Sequence, residues 1–271
     1  MLRDDLGKRM KTFYEQIPKT KLMRRTPVVI RIDGKAFHTF TRGFRKPFDE
    51  VLMRAMQETT RYLCENIQGC VLGYCQSDEI SLVLVDYQRF ETSAWFDYEV
   101  QKMCSIAASM ATLAFNRSFA ENVQTFISQS NVENDEDTKQ EKKYINTLKK
   151  AVEQGAMFDA RVFNLPKEEV TNYVYWRQLD ASRNSIQMVG QAHFSQKELH
   201  GKSCSEIQDM LMLQKNINWN DFPVDQKRGS CAVKEERFVC QKRPHWIIDR
   251  NIPIFKGDDR EYIEKLIYVE D

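Results

Sequence analysis

The sequence predicts an α+β fold: a ferredoxin-like, split βαβ antiparallel sheet with helices on one face and helical and strand additions after it. Three observations predict it. The first 165 residues alternate strand, helix, strand–turn–strand, helix, strand. The strand segments are short runs of β-branched and apolar residues, while the helical segments repeat their apolar residues at three- and four-residue spacing. A tight polar connection joins the two central strands, and no internal repeat breaks the order.

Each element follows from its residues. Residues 1–17 read as an amphipathic helix that ends before Pro18. "PVVIRI" (27–32) is a strand. Residues 46–67 are a helix, with Pro47 in its first turn and Val51, Leu52, Ala55, Met56, Tyr62 and Leu63 at helical spacing. "CVLGYCQSDEISLVLVD" (70–86) is a hairpin that turns at "QSDE". Residues 96–119 form a long helix whose small face, Ala107, Ala108, Ala111 and Ala114, allows close approach to a sheet. The charge run 131–143 is expected to be a solvated loop or the end of a mobile insert. "MFDARVFNL" (157–165) is a strand, 167–188 a helix, and 195–211 two short helices around Gly201. "HWIIDRNIPIF" (245–255) is a strand-like end. The chain is expected to be one compact unit: a core over 1–130, a charged insert over 131–156, and the rest of the core with a C-terminal extension over 157–271.

Composition narrows the class of function. The 271 residues carry a formal net charge of +1, so any nucleic-acid surface must be a local patch and not a global basic field. Seven scattered cysteines include no C-x-x-C pair, which argues against structural zinc and fits reduced thiols in a cytoplasmic setting. The first residues lack the apolar stretch of a signal peptide, and no apolar run reaches the ~20 residues of a membrane span.

The chemistry concentrates at two strand tips. Strand "VVIRI" ends in Asp33 and Gly34, and the hairpin turn carries Asp78 and Glu79. In the predicted order the first strand neighbours the hairpin, so these acids share one sheet edge. Asp-Gly is also a common turn dipeptide, and Ser-Asp-Glu also suits a hairpin tip. Carboxylates gathered this closely repel unless a cation neutralises them. Hard oxygen ligands suit Mg²⁺ or Mn²⁺, with two ions the arrangement of phosphoryl and nucleotidyl transfer.

The chain resembles the tRNA-histidine guanylyltransferase family through "RIDGKAFHTF" (31–40), "KPFDEVLMRAM" (46–56), "GYCQSDEISLVL" (73–84), "FDARV" (158–162) and "YWRQLDASRNSI" (175–186). The resemblance implies a polymerase-like palm that works in the 3′-to-5′ direction on tRNA 5′ ends. It implies two Mg²⁺ ions, ATP or GTP to activate a 5′-monophosphate, nucleoside triphosphate substrates and a homotetramer. By the same resemblance Asp33 and Asp78 are metal ligands, Gly34 a backbone ligand and Glu79 the adjacent catalytic acid. Lys35, Ala36, Phe37 and His38 wrap a nucleotide, Ser77 contacts triphosphate, and Lys46 and Lys102 lie near the phosphates. Eukaryotic members carry His-Ile-Asn-Asn where this chain reads Ala181 to Asn184, and only Asn184 matches. That departure favours the guanylyltransferase-like branch, which repairs 5′-truncated tRNA by copying the opposite strand. Strict guanylate addition at position −1 is the alternative. A palm-type cyclase and a non-catalytic RNA-binding module are further ones.

For RNA contact the candidates are Arg177, Arg183, Lys227, Arg228 and Arg243, with Gln178 suited to polar work. Trp176 lies at helical spacing and is expected to pack in the interior more readily than to stack on a base.

Overall fold

A computed structural model describes residues 5–130, 135–235 and 245–269. In chain order they form α1 (Asp5–Met10), a π-helical turn (Lys11–Glu15), β1 (Val28–Gly34), α2 (Phe37–Phe40), α3 (Glu50–Asn66), β2 (Cys70–Gln76) and β3 (Glu79–Leu84). There follow α4 (Val100–Gln129), α5 (Asp135–Gln154), β4 (Phe158–Asn164), α6 (Lys167–His193), α7 (Gln196–Leu199) and α8 (Cys204–Lys215). The last elements are α9 (Val224–Arg228), β5 (Ser230–Lys234), β6 (Trp246–Asp249) and α10 (Glu261–Ile267).

The strands make one six-stranded sheet in the order β4-β1-β3-β2-β5-β6, with every neighbouring pair antiparallel. α3 carries the chain from β1 to β2, two positions away, and β3 fills the slot between them. α4 and α5 carry it from β3 to β4 across β1. The split βαβ order read from the sequence is therefore present, and β5 and β6 extend the sheet on the β2 side.

Three expectations change. The first concerns the helices, which cover both faces of the sheet. Val28, Ile30, Ile32, Ile80, Leu82 and Leu84 pack with buried residues of α3 and α4, where Ala107 and Ala111 admit the close approach. On the other face Tyr74, Val83 and Val85 pack with Val170 and Val174 of α6 and with Ile263 and Ile267 of α10. β2 and β3 are buried along their whole length, so a single covered face would have left apolar side chains in water.

The second concerns the charge run, which from Asp135 is helical as part of α5. Tyr144, Leu148 and Ala151 recur at helical spacing and are buried in the main core. Burying Leu148 alone is worth about 2 kcal/mol, more than the few tenths that charged pairs on its polar face supply. The third concerns the C-terminal strand, which is shorter than "HWIIDRNIPIF": only Trp246–Asp249 pairs with β5.

Candidate active site

One face of the sheet turns from apolar to acidic toward the end of β1. Along that face β1 presents Val29, Arg31 and Asp33 in alternation. Their partners on β3 are Val83, Ser81 and Glu79, and on β4 they are Phe163, Arg161 and Asp159. The row ends where the two-residue turn Ser77–Asp78 joins β2 to β3. A backbone hydrogen bond from the Gly34 N–H to the Asp78 carbonyl (3.1 Å) ties the tip of β1 to this turn. Ser77 holds φ 49°, an uncommon conformation for a residue other than glycine.

The three predicted acids play different parts. Glu79 is the first residue of β3, not part of the turn, and is 5% exposed. Arg177 donates to both its oxygens (Nε to Oε1 2.6 Å, Nη2 to Oε2 2.9 Å), and Arg31 Nη2 donates to Oε2 at 2.7 Å. Arg177 also reaches Asp180 (2.8 Å). Glu79 is thus a matched, buried charge and not a free ligand.

Asp78 is different. Burial pushes its carboxyl above the ordinary range, and the charges of Asp33 and Glu79 push it the same way, against the Ser77 hydroxyl (3.0 Å) and its own backbone N–H. Among the described residues neither Asp33 nor Asp78 forms an ion pair.

A divalent ion fits this donor set in a limited way. Two uncompensated carboxylates at an open edge suit a Mg²⁺ that keeps waters and takes its remaining oxygens from phosphate. A closed protein cage is absent: among the described residues no group of three or more His, Cys, Asp or Glu side chains is arranged to hold an ion. Gly34 has a packing reason of its own. A Cβ there would lie 2.2 Å from the Phe37 ring.

Other predicted residues divide by position. Lys35, Ala36 and His38 are exposed beyond the tip of β1, with Ala36 left-handed (φ 54°). Phe37 is corrected: its ring is buried against Phe40, Phe115 and Phe158, so the side chain belongs to the core. Lys46 is exposed in the loop entering α3. Behind the turn, Ser77, Asn184 and Lys227 line one cavity with Phe48, Met53 and Met188.

Lys102 is corrected too. The Thr112 hydroxyl accepts from the Phe158 N–H, which sets Thr112 level with Gly34. Lys102 lies ten residues earlier on α4, about 15 Å toward the opposite end of the sheet.

Among the RNA candidates, Arg177 is buried on Glu79. Lys227 is 8% exposed, donates to the Asn220 carbonyl, and has its pKa lowered by burial, so it is a cavity residue and not a surface contact. Gln178 is likewise buried; its amide donates to the Pro253 carbonyl and accepts from the Phe255 N–H. Arg183 is exposed and pairs with Asp180 (3.4 Å), while Arg228 is half-buried. Arg243 lies outside the described residues. Trp176 reverses its expectation: it is 49% exposed. Arg31 and Asp180 were missed, although the two-residue period of β1 already puts Arg31 on the face of Asp33.

Known proteins resemble this chain over most of its length. A family model described as tRNAHis guanylyltransferase matches residues 7–166. The fold is similar to a bacterial tRNAHis guanylyltransferase-like protein in complex with ATP, at 43% identity and a TM-score of 0.80, covering 98% of this chain and 100% of that one. A bacterial tRNAHis guanylyltransferase-like protein in complex with GTP is similar at 40% identity and a TM-score of 0.75, covering 97% and 99%. The tRNA(His) guanylyltransferase of Schizosaccharomyces pombe is 26% identical over 239 residues, 82% of this chain and 78% of that protein.

Proposed function

The chain belongs to the tRNAHis guanylyltransferase family, a family of nucleotidyltransferases, and from that premise we propose that it extends the 5′ ends of tRNA in the 3′-to-5′ direction with the help of Mg²⁺. The observation that carries the reading is the pair Asp33 and Asp78, tied together at the sheet edge through the Gly34 N–H to Asp78 carbonyl bond, with neither in an ion pair among the described residues. Burial first, and then the charges of Asp33 and Glu79, disfavour a charged Asp78, and an arriving cation would offset both.

In this reading a 5′-monophosphate end is first activated by ATP or GTP. The 3′-hydroxyl of an incoming nucleoside triphosphate then attacks the activated phosphate, and the nucleotide of activation leaves. Bound Mg²⁺ supplies charge stabilisation at the attacking and leaving oxygens. Asp33 and Asp78 would hold it, with the Gly34 carbonyl as a further oxygen. Glu79 serves by fixing Arg177 and the end of β3. Lys35, His38 and Lys46, all exposed near this tip, supply contacts to nucleotide and phosphate. Ser77 and Asn184 line the cavity for a nucleotide behind the turn.

Two features support the repair branch over strict guanylate addition. Residues Ala181 to Asn184 depart from the His-Ile-Asn-Asn stretch. Identity to the guanylyltransferase-like proteins is 43% and 40%, against 26% to the yeast guanylyltransferase. Homotetrameric assembly and a cytoplasmic location belong to the same reading by resemblance. Among the described residues no helix is long and apolar enough to cross a membrane.

The test is incorporation of labelled nucleotide into a tRNA lacking its first 5′ nucleotide, with Mg²⁺ and ATP. Addition of the nucleotide complementary to the opposite strand is expected, whichever of the four that is. Addition of guanylate alone, to full-length histidine tRNA, would move the assignment to the strict branch. No incorporation, or full incorporation by Asp78→Ala, would end it.

A further inference from the structure

We infer that the exposed indole of Trp176 is a stacking platform for the nucleobase at the 5′ end of the RNA; the inference rests on the proposed reaction and names how its RNA is seated. Trp176 is 49% exposed on α6, although a tryptophan left half in water forgoes much of the apolar burial its ring offers. Its position is fixed, not loose. The ring stands edge-on to Tyr173 (centroids 6.0 Å), which stands edge-on to Phe163 of β4 (5.7 Å) and shares a hydrogen bond with Ser81 of β3 (2.9 Å). The Arg177 guanidinium lies 4.3 Å from the ring centroid and is itself locked on Glu79. The indole is therefore held from below and beside, with its remaining surface open.

Its place relative to the acids suits an RNA end. Arg177 bridges Trp176 to Glu79, and Glu79 is the direct cross-strand partner of Asp33. The indole thus lies on the order of 10 Å from Asp33, within two or three strand spacings. Two exposed guanidinium groups flank it, Arg161 on β4 and Arg183 two turns along α6, with side chains 58% and 56% exposed. Among the described residues each pairs with one aspartate only, Arg161 with Asp159 (58% exposed) and Arg183 with Asp180 (28% exposed), and both guanidinium groups stay open to backbone phosphate. Aromatic ring plus flanking arginines is how single-stranded nucleic acid ends are seated without sequence preference.

The two substrates then approach from opposite sides of the hairpin. The cavity lined by Ser77, Asn184 and Met188 lies on the β2 and β5 side. Trp176 overhangs the β4 side. That separation favours the RNA base over the incoming nucleotide as the occupant of the indole.

The test compares Trp176→Ala and Trp176→Phe with wild type. Four quantities are read: the Kd, with its salt dependence, for a tRNA lacking its first 5′ nucleotide, the KM for nucleoside triphosphate, the Tm and the oligomeric state. Trp176→Ala should weaken tRNA binding about tenfold. Its nucleotide KM should stay within about twofold, and Trp176→Phe should bind nearly as wild type. The salt dependence of binding should keep its slope in Trp176→Ala and lose about one unit in Arg161→Ala, because stacking releases no counterions. Wild-type tRNA affinity in Trp176→Ala overturns the inference while leaving the reaction intact. A raised nucleotide KM with unchanged tRNA Kd overturns it in favour of the incoming base. A changed oligomeric state overturns it in favour of a second copy covering the ring. If the wild-type protein binds no tRNA, the reaction and the inference fall together.

Discussion

β3 carries an aspartate just beyond each of its ends, and the protein treats the two in opposite ways. Asp86, two residues past Leu84, is 1% exposed and fully matched: Arg24 Nε donates to one oxygen at 2.6 Å and the Arg25 N–H to the other at 2.8 Å. Asp78, one residue before Glu79, faces two other acids and pairs with no cation among the described residues, and burial pushes its carboxyl upward. The same sheet therefore can supply a partner to a strand-end carboxylate, and at one end it does not. Charge left unmatched at one end of a sheet that matches it at the other is a property of that place and marks it as the candidate site.

The contrast can be broken most severely at Asp78. Asp78→Asn should lower nucleotide incorporation by about a thousandfold, the scale on which losing one charge-stabilising group costs an enzyme. It should leave the Tm without divalent ions equal to or above wild type, since a repelled charge is removed. A fall in Tm would show that Asp78 is a structural acid like Asp86.

Glu79→Gln tests the reverse. It strips a buried arginine of its main partner, and a loss of about 3 kcal/mol of stability is expected by denaturant titration. Stability unchanged to within the error of the titration would make Glu79 a functional acid after all. Asp86→Asn should cost less, about 2 kcal/mol, because Arg24 is 45% exposed and can turn to water. Its catalytic constants should not change.

The smallest effect is with pH. A carboxyl whose native pKa is raised gives stability that is fully present below its unfolded value, about 4, and lost as pH rises through the native one. In chelator, melts of wild type minus Asp78→Asn should therefore show stability falling as pH rises just above the ordinary carboxylate range. Mg²⁺ should flatten that difference; an identical slope with and without it would remove Asp78 from the ion.

How much of this was legible in the sequence follows from what each pattern encodes. The two-residue period of "VVIRIDG" and the turn at "QSDE" place Asp33 and Asp78 together, because strand alternation and hairpin closure are local. Of the partners of Glu79, Arg31 was legible in the period of β1, while Arg177 was not, since it depends on α6 crossing the second face, a tertiary event. The period of α6 says that Tyr173, Trp176 and Arg177 share a side of the helix. It does not say that the sheet ends beneath Trp176 and leaves it in water. Lys102 was misplaced for a related reason. Only the direction of α4 fixes which end of the sheet it reaches. In α5 the charges were conspicuous and the three buried residues that decide its conformation were sparse.

The fit of Phe37 over Gly34 has a practical consequence for anyone wishing to redesign the enzyme. The tip of β1 is bolted to the aromatic core, so Gly34 and Phe37 offer no freedom: an alanine at 34 would meet the ring at 2.2 Å. Lys35 and His38 are exposed on the same tip and carry no such load, whereas Ala36 holds a left-handed φ of 54°. A library that randomises Lys35 and His38 and leaves Gly34, Ala36 and Phe37 untouched would vary the surface of this tip without straining its backbone.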